Sequence, residues 1–139
     1  MDKDQFLMEL YEEAYETEIS DEQMEKLKKI ANEDDSFNKA MVAKILVNSE
    51  SEEGKEILLK LTHDKDSLVR AEACDSLCIG ETMETYERLK KLSEKDRIGL
   101  VRGYATISLS DISEGLSVKE SRGQPKSDAL KQVTCKGNF

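Results

Sequence analysis

The sequence contains no tryptophan, one proline and one histidine among its 139 residues. With so little proline and only seven glycines, it lacks the turn residues of a sheet-rich protein with many tight turns. No apolar run reaches the roughly 18 residues of a membrane-spanning helix, so no membrane association is predicted. The opening stretch, MDKDQFLMEL, is polar and acidic, so no secretory signal is predicted either.

Cysteine is scarce as well, since Cys74, Cys78 and Cys135 are the only three. An odd number does not suggest a disulfide framework, and with no export signal a reducing, cytoplasmic location is expected. Cys74 and Cys78 are four residues apart on one predicted helix, a poor geometry for a disulfide and two ligands short of a zinc site. We therefore predict core packing for Cys74, with no metal and no other cofactor.

Motifs that carry catalysis are missing from the sequence. It holds no GxGxxG, no GxxxxGK[ST] and no HExxH. The single histidine, His63, accompanies no Ser or Cys nucleophile in a recognisable arrangement. Paired acids such as Asp34 and Asp35 suit helix N-termini better than paired-carboxylate chemistry. The prediction is a protein that is not an enzyme and has no catalytic residue.

The chain is acidic, with 30 Asp and Glu, 21 Lys and Arg, and a formal net charge of −9. The excess lies in residues 1–112, which hold 27 acids and 16 bases. Because an acidic surface is repelled by phosphate backbones, nucleic acid is not expected as a partner. Long-range attraction favours another protein with a basic surface.

Apolar residues recur at helical spacing from the start of the chain to Ile112, and no strand pattern competes with them. Ser20 and Gln23 form a capping-box sequence, which predicts a helix start. The pattern as a whole predicts an all-α protein of seven short helices, each of about 10–14 residues, joined by polar turns.

A faint internal repeat organises these helices. Residues 24–46 align with residues 55–77 at an offset of 31, and residues 87–109 align after a one-residue slip in the turn. Each unit is predicted to be a helix, a turn and a second helix. Its apolar stripes are too narrow to close a core alone, so the units are expected to stack and share one.

A base recurs at the start of each second helix, and an acid stands six residues before it. A base in the first turn is unfavourable for the helix dipole, so its recurrence there suggests a partner. The acid of the preceding turn is the obvious one. The three pairs are Glu33 with Lys39, Asp64 with Arg70, and Asp96 with Arg102.

The sequences Val69-Arg70-Ala71-Glu72-Ala73 and Val101-Arg102-Gly103-Tyr104-Ala105, each with an Asp six residues before its Arg, resemble the HEAT repeat. The resemblance covers residues 21–112, with the first unit matching by charge only. It implies a right-handed α-α superhelix of about three helical hairpins plus an N-terminal capping helix, with an Asp–Arg ladder between successive units. The repeat domain is expected over 1–112. Residues 113–139 are expected to be an irregular tail, either disordered or with one short capping helix.

The resemblance implies an architecture more than a role, because such solenoids have many functions. The preferred function is a protein-protein interaction module or scaffold whose aligned second helices line a shallow acidic groove. The groove candidates are Met41, Lys44, Glu72, Asp75, Tyr104 and Ile107. An equal alternative for Tyr104 and Ile107 is that the C-terminal tail covers them. Two alternatives stay open: a HEAT-like enzyme accessory or lyase-type protein using an acidic groove residue, and a structural fragment of a longer array. The third unit ends on the apolar residues Leu109 and Ile112, so three outcomes are expected as alternatives there: the tail packs on them as a cap, the C-terminal end of the array self-associates with another copy of the chain, or the array continues in a longer protein.

Overall fold

The structure is a computed structural model that describes residues 2–49, 51–77 and 82–122. Over these residues it consists of α-helices and turns, without strands. The helices are α1 Lys3–Glu13, α2 Asp21–Ala31, α3 Ser36–Ile45, α4 Glu52–Leu61, α5 Ser67–Ser76, α6 Met83–Lys95 and α7 Gly99–Arg122, with a 3-10 turn, Leu46–Asn48, after α3. The predicted all-α fold is confirmed. None of these helices is long and apolar enough to cross a membrane.

Side-chain caps start the first six helices. Before each of them stands an Asp, Ser or Thr whose side chain accepts a hydrogen bond from a backbone N–H of the first turn. At α2 the predicted capping box is present, because Ser20 Oγ accepts from Gln23 N at 3.1 Å and Gln23 Oε1 accepts from Ser20 N at 2.9 Å. The short polar turns therefore set where each helix begins.

The last helix is longer than the sequence analysis predicted. We placed the end of the helical region at Ile112, but α7 continues to Arg122. The added segment contains no proline and several good helix formers, and its Gly115 costs only about 1 kcal/mol in a helix interior. The predictions made for Cys78, Cys135 and a tail helix lie outside the described residues.

The helices pair as three hairpins, α2 with α3, α4 with α5, and α6 with α7. The second helices form a row in which α3 contacts α5 and α5 contacts α7. At the other side of α3 lies α1, in the position expected for an N-terminal capping helix. Among the described residues, each second helix thus has a neighbour on each side, except for α7 at the end of the row.

One hydrophobic core runs through all three hairpins. Leu27, Leu58 and Leu89, which are equivalent in the repeat, are each no more than 2% exposed. Their burial in a single cluster shows that the first helices also share one core.

Two buried serines add a polar contact that repeats along the row. Ser76 Oγ donates to Ala43 O at 2.7 Å, and Ser108 Oγ donates to Cys74 O at 2.7 Å. In both cases a second helix binds the backbone of the second helix before it. Both serines are almost fully buried, so the hydroxyl needs this partner.

Candidate functional site

The repeated bases at the starts of the second helices form ion pairs that join neighbouring units. Lys39 Nζ lies 2.6 Å from Asp64 Oδ1. Arg70 binds both carboxylate oxygens of Asp96, with Nε–Oδ2 at 2.9 Å and Nη2–Oδ1 at 3.2 Å. All four side chains are between 5% and 11% exposed, so both pairs are largely shielded from water.

The prediction of which acid each ladder base binds, made from the six-residue spacing, is wrong. We expected each base to bind the acid of its own turn, but the carboxylate it binds belongs to the following unit. Arg70 instead binds its own turn through backbone oxygens, donating from Nη1 to Asp64 O at 2.9 Å and to Lys65 O at 3.1 Å. The guanidinium has five donors in a fixed fork, so it can bind both units at once.

The ladder is closed at its N-terminal end and open at its C-terminal end. Glu33 pairs with Lys3 from α1. Arg102 donates from Nη1 to Asp96 O at 2.7 Å, as Arg70 does in its own turn. It pairs with no carboxylate within the part of the chain that the structure describes, and its side chain is exposed. The row therefore ends on an unused ladder position.

The ladder changes the acidity of Asp96. Burial by itself would raise the pKa of this carboxyl, but hydrogen bonds from Arg70 and from Ile98 N, together with the positive charge of Arg70, more than offset that effect. The pKa of Asp96 is therefore below its ordinary value. At the start of α5 the pKa of Asp66 is also lowered, chiefly because its carboxylate accepts the Leu68 N–H.

We expect the stability of the protein to depend on pH through Asp96. A carboxyl whose pKa is lower in the folded state stabilises the fold above its unfolded pKa, and this contribution is lost as pH falls through the folded pKa. Asp96→Asn should therefore lose stability near pH 7 and show a weaker decline than the wild type as pH falls below about 4. Urea unfolding between pH 7 and pH 3 measures both effects.

The control is Asp34→Asn, because the Asp34 side chain is 98% exposed. This variant should follow the wild-type pH dependence throughout. If Asp96→Asn also follows it, the Asp96 carboxylate does not contribute to the acid sensitivity of the fold.

The structure divides the predicted groove residues between core and surface. Met41 belongs to the hydrophobic core and is 9% exposed. Ile107 is 48% exposed, whereas the remaining four, Lys44, Glu72, Asp75 and Tyr104, have intermediate exposure. Their helices α3, α5 and α7 adjoin one another, so five of the six residues reach solvent along the row.

The structure shows the environments of Cys74 and His63, which the sequence analysis considered as candidate functional residues. Cys74 is a free thiol with no exposed surface, and burial raises its pKa to about 12. A thiol held in the neutral form is a poor nucleophile, which agrees with a packing role. His63 lies in the turn after α4, where burial lowers its pKa and the positive charges of Arg88 and Lys91 lower it further.

Sequence reasoning missed Arg88. Its Nε donates to Thr62 Oγ1 and its Nη2 donates to Thr62 O, both at 3.0 Å, so that α6 binds the end of α4 in the preceding unit. One signal could have found it. At the repeat offset of 31, Arg88 stands where the preceding unit has the core residue Ile57.

A family model described as HEAT repeats matches residues 24–110, which is more than half of the chain. The matched span runs from α2 into α7 and includes the ladder bases from Lys39 to Arg102. No curated protein and no solved structure gives a significant match to the chain.

Proposed function

The chain belongs to the HEAT-repeat family, and from that premise we propose that it is a non-catalytic module that binds another protein. HEAT repeats generally mediate protein-protein interaction or scaffolding. The observation that carries the proposal is the row of second helices α3, α5 and α7, which presents partly or fully exposed side chains outside the ladder, with Tyr104 also packing against the core. We call this surface the binding face and define it by Lys44, Glu72, Asp75, Tyr104 and Ile107.

The composition of the binding face supports a protein ligand. Ile107 and Tyr104 offer apolar and aromatic contact area of the kind that forms the centre of an interface. Glu72 and Asp75 supply negative charge beside it. Aromatic residues in such a setting contribute disproportionately to binding energy.

The partner is proposed to have a basic surface. The binding face has one more acid than base, and the whole chain has a net charge of −9. Electrostatic attraction of this kind acts mainly on the association rate, so binding should weaken as ionic strength rises. Since Cys74 is a free thiol, we also propose the reducing cytoplasm as the location.

Affinity capture with variant pairs tests the proposal. The binding-face variant is Glu72→Lys with Ile107→Ser. The matched control is Glu12→Lys with Leu68→Ser, which makes the same changes at exposed positions elsewhere. We expect wild type and control to retain the same identified protein with a basic surface, and the binding-face variant to lose it by about tenfold or more in affinity.

Equal loss in both variants would mean that general charge, and not the binding face, holds the partner. Equal retention would remove this face from the proposal. Circular dichroism of both variants establishes that each is folded before capture is compared.

We further propose that the open end of the row joins two copies of the chain. Arg70, Ala71 and Cys74 of α5 are buried. The equivalent residues of α7, namely Arg102, Gly103 and Thr106, are exposed, and among the described residues none would contact a side chain at position 103. Sedimentation should show a dimer that Gly103→Glu converts to monomer, and a monomeric wild type would contradict this proposal.

A further inference from the structure

A basic cleft lies between the turn after α4 and the turn after α6, away from the side chains that define the binding face. It is a shallow depression, open to solvent, with a volume of about 420 Å³. Five Lys or Arg side chains and two Asp side chains line it, together with His63 and Thr62. The local charge of the cleft is therefore positive, although the chain has a net charge of −9.

Both acids of the cleft are already neutralised. Asp64 is paired with Lys39, and Asp96 is paired with Arg70. The cations that remain are Lys65, 3.9 Å from an exposed Asp34, and the three residues Arg88, Lys95 and Arg97. Within the described ranges none of those three forms an ion pair, so the cleft keeps an excess of positive charge.

Arg88 is held in a fixed orientation at the wall of this cleft. Two hydrogen bonds to Thr62, each of 3.0 Å, use Nε and one N–H of Nη2. No other hydrogen bond from this guanidinium occurs in the described part of the chain, so its remaining donors are available to a ligand. Fixing the group in advance lowers the entropy cost of binding.

The pKa of His63 agrees with a positive electrostatic potential in the cleft. Burial lowers the pKa of its imidazole, and Arg88 and Lys91 lower it further by repulsion between like charges. Near neutral pH the histidine is therefore a neutral group that can donate or accept a hydrogen bond without adding charge. The pKa of Arg88 is lowered chiefly by burial, with the charge of Asp96 acting in the opposite direction and that of Arg70 adding to the lowering.

We propose that this cleft binds a phosphate monoester, with Arg88, Lys95 and Arg97 as the residues that contact the phosphate. Guanidinium groups match the geometry of phosphate oxygens, and charge-assisted hydrogen bonds are the strong ones. A dianion also relieves the repulsion among the three cations. The acidic remainder of the chain disfavours a long polyanion, so the ligand is a small phosphorylated molecule or a phosphorylated side chain of a protein.

Titration of the full chain with inorganic phosphate tests the site. Binding is monitored by the NMR chemical shifts of the backbone amides. Ionic strength is held constant with NaCl, so that general screening does not change. We expect saturable shifts at millimolar phosphate that are confined to residues 62–66 and 94–98. Lys95→Gln with Arg97→Gln should weaken binding by about tenfold or more, because two of the three unpaired charges are removed.

The matched control is Lys28→Gln with Lys29→Gln, which removes the same charge from exposed positions on α2. It should leave phosphate affinity within about twofold of the wild type, since these charges lie outside the cleft. Shifts that do not saturate, or equal weakening by the control, would overturn the proposal. Arg88 is left unchanged in both variants because it also binds Thr62.

Two further titrations distinguish the sources of the phosphate. A phosphoserine peptide and glycerol phosphate are compared with the unphosphorylated peptide and with glycerol. Tighter binding of the peptide identifies a phosphorylated protein, and tighter binding of glycerol phosphate identifies a small molecule. Equal binding of the phosphorylated and unphosphorylated forms would contradict a phosphate site.

Discussion

Arg70→Ala is expected to lower the free energy of unfolding by about 2–3 kcal/mol, because it leaves buried groups without partners. The Asp96 side chain is only 6% exposed and would lose both hydrogen bonds from the guanidinium. The backbone oxygens of Asp64 and Lys65 would also lose a donor. Urea unfolding near pH 7 measures the loss.

The repeat supplies a matched control for this prediction. Arg102→Ala removes the same side chain from the equivalent position of the third unit. The Arg102 side chain is exposed and, within the described part of the chain, donates one hydrogen bond, to Asp96 O, so its loss should cost less than about 1 kcal/mol. Equal effects of the two substitutions would show that pairing with the next unit adds nothing to stability.

Leu58→Ala is expected to destabilise the protein by about 3 kcal/mol or more, within the 2–5 kcal/mol typical of buried leucines. Leu58 is 2% exposed and lies on α4, the first helix of the central unit. The truncation loses burial energy and leaves a cavity. Because the central unit borders both of the others, the loss cannot be confined to one end of the stack.

A leucine on the surface of the same unit is the control for this core substitution. Leu68 is 51% exposed at the start of α5. Leu68→Ala should change the free energy of unfolding by no more than about 0.5 kcal/mol. A small effect at Leu58 would mean that α4 does not belong to a shared, well-packed core.

Local patterns predicted the elements well where helix starts carry capping signals. Ser20 and Gln23 predicted the start of α2, and the equivalent leucines at 27, 58 and 89 predicted a core that repeats with the units. Both follow from short-range chemistry and from the period of an α-helix. The end of α7 was harder to predict, because no proline or capping glycine follows Ile112 directly.

The polar contacts between units could be predicted only in part. Spacing along the chain favoured an acid of the same turn for Arg70, whereas the carboxylate it binds is 26 residues away. The resemblance to HEAT repeats implied a ladder between units, and the structure has that arrangement. Its geometry depends on how the hairpins stack, which no local pattern specifies.

The basic cleft is further from what sequence could predict. Its five cations come from α5, from α6 and from the turns after α4 and α6. One of them, Arg88, stands at a position that is apolar in the preceding unit. The net charge of the chain does not indicate a local basic cluster of this kind, because the chain as a whole is acidic. The three unpaired cations all belong to the third unit, on α6 and in the turn after it, and the stacking of that unit on the preceding one places them beside Thr62 and His63.

The central claim is that the ladder ion pairs hold neighbouring units together. Double-mutant cycles on Arg70 test this claim most directly. Arg70→Ala is combined with Asp96→Asn in one cycle and with Asp64→Asn in a second. A ladder between units predicts a coupling energy of about 1 kcal/mol or more with Asp96 and close to zero with Asp64, whose side chain binds Lys39. Strong coupling to Asp64 with none to Asp96 would contradict the account.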